Sequence, residues 1–369
     1  MTVLTWALQA FLLYLGATFV FDLAHWALHA FHRSSWKPLQ AIGALHHTHH
    51  RFLGPGLQFD DSFIASNLWR HRTGELFTQL LGASVGFAFL HPAPVVAVLA
   101  IFTGSFAVGL FYGGKDSNHR QQVRLRAPLG AVFVGLPYHS LHHAFPNRYF
   151  GSVTTAFDRL FGTGCQVAGR RVVITGASGA FGAPLKKLLE AQGAIVTALK
   201  HGVDFDAHGC SSPALAAADI LVLAHGSKGP AAMTANCDTF LLLIDRFRQL
   251  TRGRLVAPEV WAVGSEIECH PSFGNPDAEV YLQSKRAFAR QARRLFHEDD
   301  LLYRHIVPSA FTSPLGPGLI SGEFAAAWAW FLIKRGCRYV PVSYTGIALI
   351  NYLKFVLRVH APPPKDPCS

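Results

Sequence analysis

Residues 76–114 read LFTQLLGASVGFAFLHPAPVVAVLAIFTGSFAVGLFYGG, with no Asp, Glu, Lys or Arg in the whole run. The stretch is about twice the roughly 20 residues that cross a hydrocarbon core. It is broken by His91-Pro92-Ala93-Pro94. Proline removes helix hydrogen bonds, so the run predicts a hairpin of two spans with its tip at the break. Met1 to Phe21 is uncharged as well and predicts one further span. It lacks the basic start of a secretory leader and runs straight into Asp22 and a first pair of histidines.

Three crossings would place residues 22–75 and everything from Lys115 onward on one side of the membrane. Arg33, Lys37, Arg51, Arg70, Arg72, Lys115, Arg120, Arg124 and Arg126 all fall on that side, while the N-terminus and the hairpin tip carry no Lys or Arg. The positive-inside rule makes that side cytoplasmic and the protein an integral, multi-pass one. The chain has 369 residues, of which 50% are hydrophobic and 15% charged, below the roughly 25% charged residues of a typical globular chain. Its 29 Phe exclude intrinsic disorder. The cysteines Cys165, Cys210, Cys237, Cys269, Cys337 and Cys368 form no CxxC pair, which excludes a disulfide scaffold and suits a reducing compartment. The net charge of +11 sits mostly beside the predicted spans, so it reads as topology and not as a nucleic-acid face.

Histidine is the anomaly of the composition, with 20 residues against 22 acids, and 13 of them lie by position 143. His25-x3-His29 ends the first span. His46-His47-Thr48-His49-His50 contains an HxxHH, His119 follows the hairpin, and His139-Ser140-Leu141-His142-His143 is a second HxxHH. On a helix, positions i, i+3 and i+4 share one face, so each group aims two or three imidazoles at one point. Neutral imidazole binds iron, zinc or copper without adding charge near a bilayer.

The second HxxHH, with Asn147-Arg148-Tyr149-Phe150-Gly151 and Phe157-Asp158-Arg159-Leu160-Phe161-Gly162-Thr163 after it, resembles the fatty acid hydroxylase/sterol desaturase superfamily. So does the order HxxxH, HxxHH, spans, His, HxxHH. The resemblance covers about residues 5–163, within a membrane domain of residues 1–163, and implies a non-haem di-iron centre that uses O2 on a C–H bond of a lipid. It further implies His25, His29, His46, His49, His50, His119, His139, His142 and His143 as ligands. His32 and His47 fall off the motif. Where relatives often keep Arg-x-His-Pro-x-Glu, this chain has Arg70-His71-Arg72-Thr73-Gly74-Glu75, with the register of the histidine lost.

From Arg171 onward, β-branched runs alternate with helical ones. Arg171–Thr175, Ala194–Leu199, Asp219–Ala224, Leu255–Val263 and Leu302–Val307 predict strands, and Pro184–Gln192, Asp238–Leu250 and Glu279–His297 predict the helices between them. That alternation predicts a parallel sheet covered by helices, a Rossmann-like α/β domain over residues 169–343. Residues 344–369 read as an amphipathic segment with a short tail; the segment packs as helices on the sheet or, alternatively, docks on an anionic membrane surface.

Val172 to Gly182 is a strand, a glycine-rich turn and a helix start, where backbone can approach a pyrophosphate. With Tyr281-Leu282-Gln283-Ser284-Lys285 about a hundred residues on, this half resembles the short-chain dehydrogenase/reductase family. The resemblance implies Ser265, Tyr281 and Lys285 as catalytic, and Thr175, Gly176, Ser178, Gly179, Phe181 and Gly182 as nucleotide-binding. In a YxxxK helix the ammonium lowers the phenol pKa for acid/base work. Lys200-His201 at the end of the second strand favours a 2′-phosphate, hence NADP, with NAD possible. Asp204 and Asp206 read as contacts to the adenine end. Leu223-Ala224-His225-Gly226 replaces the family's Asn-Ala-Gly turn, Asn236 stands near its helix asparagine, and the stretch up to Tyr281 is short for the family.

These features together predict a bifunctional membrane oxidoreductase. One half would hydroxylate or desaturate a fatty acyl, sterol-like or isoprenoid lipid; the other would interconvert the resulting alcohol and carbonyl. The second half carries no flavin, iron–sulfur or haem signature, so electrons would come singly from an external donor such as a ferredoxin or cytochrome. The alternatives are a wax-type enzyme forming long-chain aldehydes or alkanes, a Rossmann partner domain without activity, and a metal-holding scaffold.

Overall fold

The computed structural model describes residues 2–116, 118–210, 212–272 and 276–357. The chain divides into two compact units, Met1–Cys165 and Gln166–Ser369. The predicted tail at 361–364 and Cys368 lie outside the described residues.

In the first unit α1 (Val3–His32) and α2 (Lys37–Phe52) are joined by a short turn at Arg33–Trp36. A 3₁₀ turn at Asp61–Phe63, α3 (Ile64–Ser66), a π-helical turn at Asn67–Arg72, α4 (Thr73–Ser84) and a 3₁₀ turn at Val85–Ala88 follow as one continuous helical run. α5 (Pro92–Phe111) starts at the prolines, with His91 as its N-cap accepting from Ala93 N. The predicted break at His91–Pro94 is the tip of a helical hairpin, but among the described residues only its second arm, α5, is long and apolar enough to cross a membrane. The first arm is the 12-residue α4 with a 3₁₀ turn, so the predicted third span is not seen. α1, α4 and α5 meet around Ala17, Ala83, Val98 and Phe102. Gly82 lets α4 approach α1 closely, since a Cβ there would lie 3.1 Å from the Ala17 Cα.

α1 and α5 are long and apolar enough to cross a membrane. Only 11% of the apolar window of α1 and 28% of that of α5 is buried, the reverse of a core helix in a soluble protein. Leu8, Phe11 and Leu12 on α1, Phe77 and Leu81 on α4, and Val96, Ile101 and Val108 on α5 point outward. α6 (Leu136–Ala144) and α7 (Ala156–Phe161) complete the unit.

The second unit is built on β1 (Arg171–Thr175), β2 (Ile195–Leu199), β3 (Ile220–Leu223), β4 (Glu259–Val263), β5 (Leu302–Pro308) and β8 (Tyr339–Val342). β6 (Phe311–Thr312) and β7 (Ile320–Ser321) form a separate small pair. The main sheet is all parallel in the order β2-β1-β3-β4-β5-β8. This is the predicted α/β, Rossmann-like domain with a parallel sheet. β8 was not predicted, and β4 begins at Glu259, because Pro258 has no N–H to give a ladder at its start.

Helices α8 (Gly182–Ala191), α9 (Pro213–Ala217), α10 (Thr239–Leu250), α11 (Pro276–Leu295), α12 (Gly322–Ile333) and α13 (Ile347–Val356) cover the sheet. Val173, Leu221, Val260 and Tyr303 share a core with Phe240, Leu243, Phe247 and Phe288. Strand side chains alternate between faces, so their neighbours turn to the other side, where Trp261 stacks on Trp330 of α12. α12 and α13 both bury one face and leave Phe324, Trp328, Leu349, Ile350 and Leu353 exposed on the other.

Candidate metal centre and nucleotide cleft

The nine histidines singled out by spacing are all buried, and they sort into two groups. His25, His29, His46, His50 and His142 form the first; His49, His119, His139 and His143 form the second. Within each group the ligand atoms lie within 4.8 Å of one another. Nitrogens bound at about 2.1 Å to one ion stand about 3.0 Å apart when adjacent and about 4.2 Å apart when opposite, so each group matches a single ion. α2 feeds both groups, since His46 and His50 share one face and His49 is turned about 100° from His50. α6 does the same with His142 against His139 and His143.

Tautomers are fixed from behind. His142 Nδ1–H donates to the Arg148 carbonyl and His143 Nδ1–H to the Leu53 carbonyl, each at 2.8 Å. His49 Nδ1 meets Asn67 Oδ1 at 2.9 Å, and His119 Nδ1 meets Asp116 Oδ1 at 2.8 Å. Each of these rings therefore presents a bare lone pair at Nε2. Yet His119 Nε2 lies 3.1 Å from His49 Nε2, where neither nitrogen has a proton to share. Both His25 nitrogens and His143 Nε2 are buried without a partner. Lone pairs crowded in this way repel unless a cation lies between them, so the residues fit a pair of metal ions.

Burial pushes the imidazoles of His46, His49, His50, His139 and His143 well below their ordinary pKa, and that of His142 down to about 4. They are neutral, as ligands must be. Asp158 holds α6 in place: its carboxylate accepts Phe150 N at 2.9 Å, Gly151 N at 2.8 Å, the Tyr138 hydroxyl at 2.8 Å and the Thr163 hydroxyl.

Sequence reasoning missed three residues. His71 is buried, with Nδ1 3.0 Å from His46 Nδ1 and its ring stacked on His49 at 3.8 Å. Asn67 and Asp116 hold His49 and His119. The Asp-x-x-His spacing at 116–119 was a usable signal; the other two depend on the π-helical turn, which changes the helix phase. Among the off-motif pair, His32 and His47 stack on each other at 4.6 Å, outside both groups.

A cavity of about 930 Å³ reaches His119 and Asp116. It runs between α1, α4 and α5 and is walled by Tyr14, Thr18, Glu75 and Gln79 as well as by apolar residues.

In the second unit, Gly176 has φ +66° and a Cβ there would stand 2.5 Å from the Ala224 carbonyl oxygen, so only glycine fits. Thr175 Oγ1 meets His225 Nδ1 at 2.7 Å. α8 opens at Gly182, packed on Gly176. Ser265 caps the 3₁₀ turn after β4, and it and Tyr281 line the same cleft. Lys285 Nζ donates to the Val263 carbonyl at 3.0 Å and lies 5.8 Å from the Tyr281 ring centre. Burial pushes Lys285 down to about 8. Asn236 donates to the Ser227 carbonyl at 2.8 Å and to Ser284 Oγ at 3.0 Å.

Ser265, Tyr281, Lys285 and Phe181 share one cavity of about 460 Å³. Thr175, Gly176, Ser178, Gly179, Gly182 and Lys200 lie outside its wall, at the turn and at the end of β2. Asp204 accepts Lys200 N at 2.8 Å, and Asp206 accepts His208 N and Gly209 N.

The fatty acid hydroxylase family matches residues 10–163. The chain is 28% identical, over an alignment of 269 residues, to a monoglucosyldiacylglycerol epimerase of Synechocystis sp.. The match covers 64% of this chain and 64% of that relative's length. A short-chain dehydrogenase of Burkholderia cenocepacia in complex with NADP is 18% identical, covering 53% of this chain and 98% of its own, with a TM-score of 0.43. One from Sphingobium yanoikuyae in complex with NADPH is 15% identical, covering 54% and 100%, with a TM-score of 0.39.

Proposed function

We propose that the protein is a membrane-embedded, lipid-modifying oxidoreductase with two centres. The first is an O2-dependent di-iron hydroxylase or desaturase, and the second an NADP-dependent centre for alcohol/carbonyl interconversion. The observation that carries this reading is the sorting of nine buried histidines into two groups of converging Nε2 lone pairs. Iron is chosen over zinc because the domain is of the fatty acid hydroxylase type. Bound there, two irons would supply activation of O2 and removal of hydrogen from a C–H bond. The chain's own part is to orient the imidazoles: His49 through Asn67, His119 through Asp116, and His142 and His143 through the carbonyls of Arg148 and Leu53. Electrons would come singly from an external carrier of the ferredoxin or cytochrome class.

In the second centre a bound nicotinamide nucleotide would accept or supply hydride. Tyr281 would pass the hydroxyl proton, Ser265 would hold the carbonyl oxygen, and the Lys285 ammonium would favour the phenolate. The exposed Lys200 at the end of β2 favours NADP. A second reading rests on the epimerase relative. Oxidation of a carbinol to a ketone, followed by hydride return to the opposite face, would invert that carbon at the second centre alone.

The first reading is tested by metal analysis of the purified full chain and by lipid profiling of cells that carry its variants. Metal analysis is expected to give two irons per chain, falling in His50→Ala and in His139→Ala; an iron-free wild type overturns the first centre. Tyr281→Phe is expected to accumulate the alcohol from the first step in cellular lipid profiles. Unchanged product ratios overturn the sequential scheme.

A further inference from the structure

α13 is apolar on two faces, and only one of them has a partner among the described residues. Ala348, Asn351 and Phe355 turn inward, with the Phe355 ring against Phe296 of α11 and His305 of β5. Leu349, Ile350, Leu353, Val356 and Leu357 are 45–70% exposed. At 100° per residue these five fall within one stripe about 120° wide, opposite the packed face. Single exposed apolar residues are ordinary on a surface, but five aliphatic side chains in one helical stripe mark a contact.

The flank of the stripe is basic. α11 runs beside α13, where His297 Nε2–H donates to the Phe355 carbonyl at 2.6 Å. Arg286, Arg290, Arg293 and Arg294 share one face of α11, at i, i+4, i+7 and i+8. Arg286 of α11 and Lys354 of α13 both lie close enough to Cys269 to act on its thiol, so the basic residues of the two helices are neighbours. Neither Val280 to Leu295 nor Ile347 to Val356 contains an acid. Beyond the end of α11, Glu298 and Asp300 are taken up by Arg248 at 2.7 and 2.8 Å. An aliphatic stripe beside unopposed bases matches an anionic lipid surface in both chemistry and charge.

α13 is also keyed to the nucleotide cleft. Tyr344 and Thr345 line that cleft, and the helix begins at Ile347. Glu266, another lining residue, accepts the Ser343 hydroxyl at 2.6 Å, the Thr345 hydroxyl, and Ala348 N at 3.3 Å. One carboxylate thus ties the first turn of α13 to the cleft wall. Leu315 lines the same cleft and is exposed. Whatever seats α13 therefore also sets which way the cleft opens.

We propose that α13 lies on an anionic bilayer surface through this stripe, so that the second cleft draws its alcohol or carbonyl substrate from the lipid phase and not from water. The inference rests on the reading of α1 and α5 as membrane spans and of the cleft as the second centre. Residues 162–170 alone separate α7 from β1, which keeps a bilayer that holds the spans within reach of the second unit.

The test uses the full chain in nanodiscs of phosphatidylcholine, with or without phosphatidylglycerol. A photo-crosslinking phenylalanine analogue replaces Ile350, Phe11 on the outward side of α1, or the exposed Lys187 of α8, which packs with α12 on the other side of the sheet. Lipid adducts, read by mass spectrometry, are expected at position 11 in both discs and at position 350 severalfold more often with phosphatidylglycerol. Position 187 is expected to give about a tenth of the yield at 350 or less. Arg290→Gln combined with Arg294→Gln is expected to remove the phosphatidylglycerol effect. Leu353, on the same stripe, supplies a second crosslinking position if the first variant misfolds.

No adducts on the stripe, equal yields at 350 and 187, a yield unmoved by phosphatidylglycerol, or crosslinks from 350 to a second copy of the chain would each overturn the proposal. Adducts at 11 without adducts at 350 or 353 sink the docking and spare the spans; the converse pattern does the reverse. Delivery from the lipid phase is read with NADPH and two aldehydes. Ile350→Glu combined with Leu353→Glu is expected to raise KM for hexadecanal in the discs about tenfold, with kcat/KM for butanal held within about twofold. An equal change for both aldehydes overturns that part. A wild-type chain that reduces neither aldehyde sinks the reading of the second centre and spares the docking.

Discussion

Lys285 is buried beside Tyr281 with the Val263 carbonyl as its hydrogen-bond partner, and desolvation is what lowers its pKa to about 8. Its unfolded value is near 10.5, so the unfolded chain binds the proton more tightly. The cost of burying the charge is thus fully present below pH 8 and fades as pH rises from about 8 to 10.5. Lys285→Met is expected to abolish carbonyl reduction while raising the thermal midpoint of the second unit at pH 7 by on the order of a few degrees. Scanning fluorimetry from pH 7 to 10 should show that gap closing; a constant gap would contradict the assignment. The YxxxK spacing made Lys285 legible in the sequence because it is local. Asn67, 18 residues from His49, carried no such signal, since only tertiary packing brings its amide to that ring.

At the scale of elements, α6 shows how a short helix is held to a demanding geometry. It has nine residues, too few to be stable alone, and it supplies three of the nine histidines. The Asp158 carboxylate compensates by gathering two backbone N–H groups and the Tyr138 hydroxyl. Asp158→Ala leaves these buried donors unmatched and is expected to destabilise the first unit by on the order of 3 kcal/mol. Iron per chain should fall to half or less, with Asp158→Asn in between. Full iron in Asp158→Ala would show that α6 is positioned by other contacts.

HxxHH was readable as one helical face, but its division between two groups was not, because adjacent residues such as His49 and His50 part company only when α1 and α6 arrive. Likewise Tyr339–Val342 is four residues with a proline, too short a pattern to separate from a loop, and it became a strand only because the edge of β5 was there to pair with it.

For the molecule as a whole, charge placement gives a direct expectation for the orientation of the spans. Ala93, at the exposed hairpin tip, and Arg124, on the basic side, belong on opposite faces of the membrane. A cysteine introduced as Arg124→Cys should react with an impermeant thiol reagent only from the cytoplasmic side, and one introduced as Ala93→Cys only from the other. Labelling of both from one side would collapse the multi-pass topology. The domain order and the parallel sheet were legible from composition and periodicity alone, since both are properties of long runs.

One feature of the metal centre bears on how such a chain is made. The first group is completed by His142 and the second by His139 and His143, although His25 and His29 lie near the start of the chain. Neither group is whole until some 140 residues have been synthesised and the hairpin is already in place. Any metal the two groups take is therefore loaded late in biogenesis, since His25 and His29 lack their partners until then.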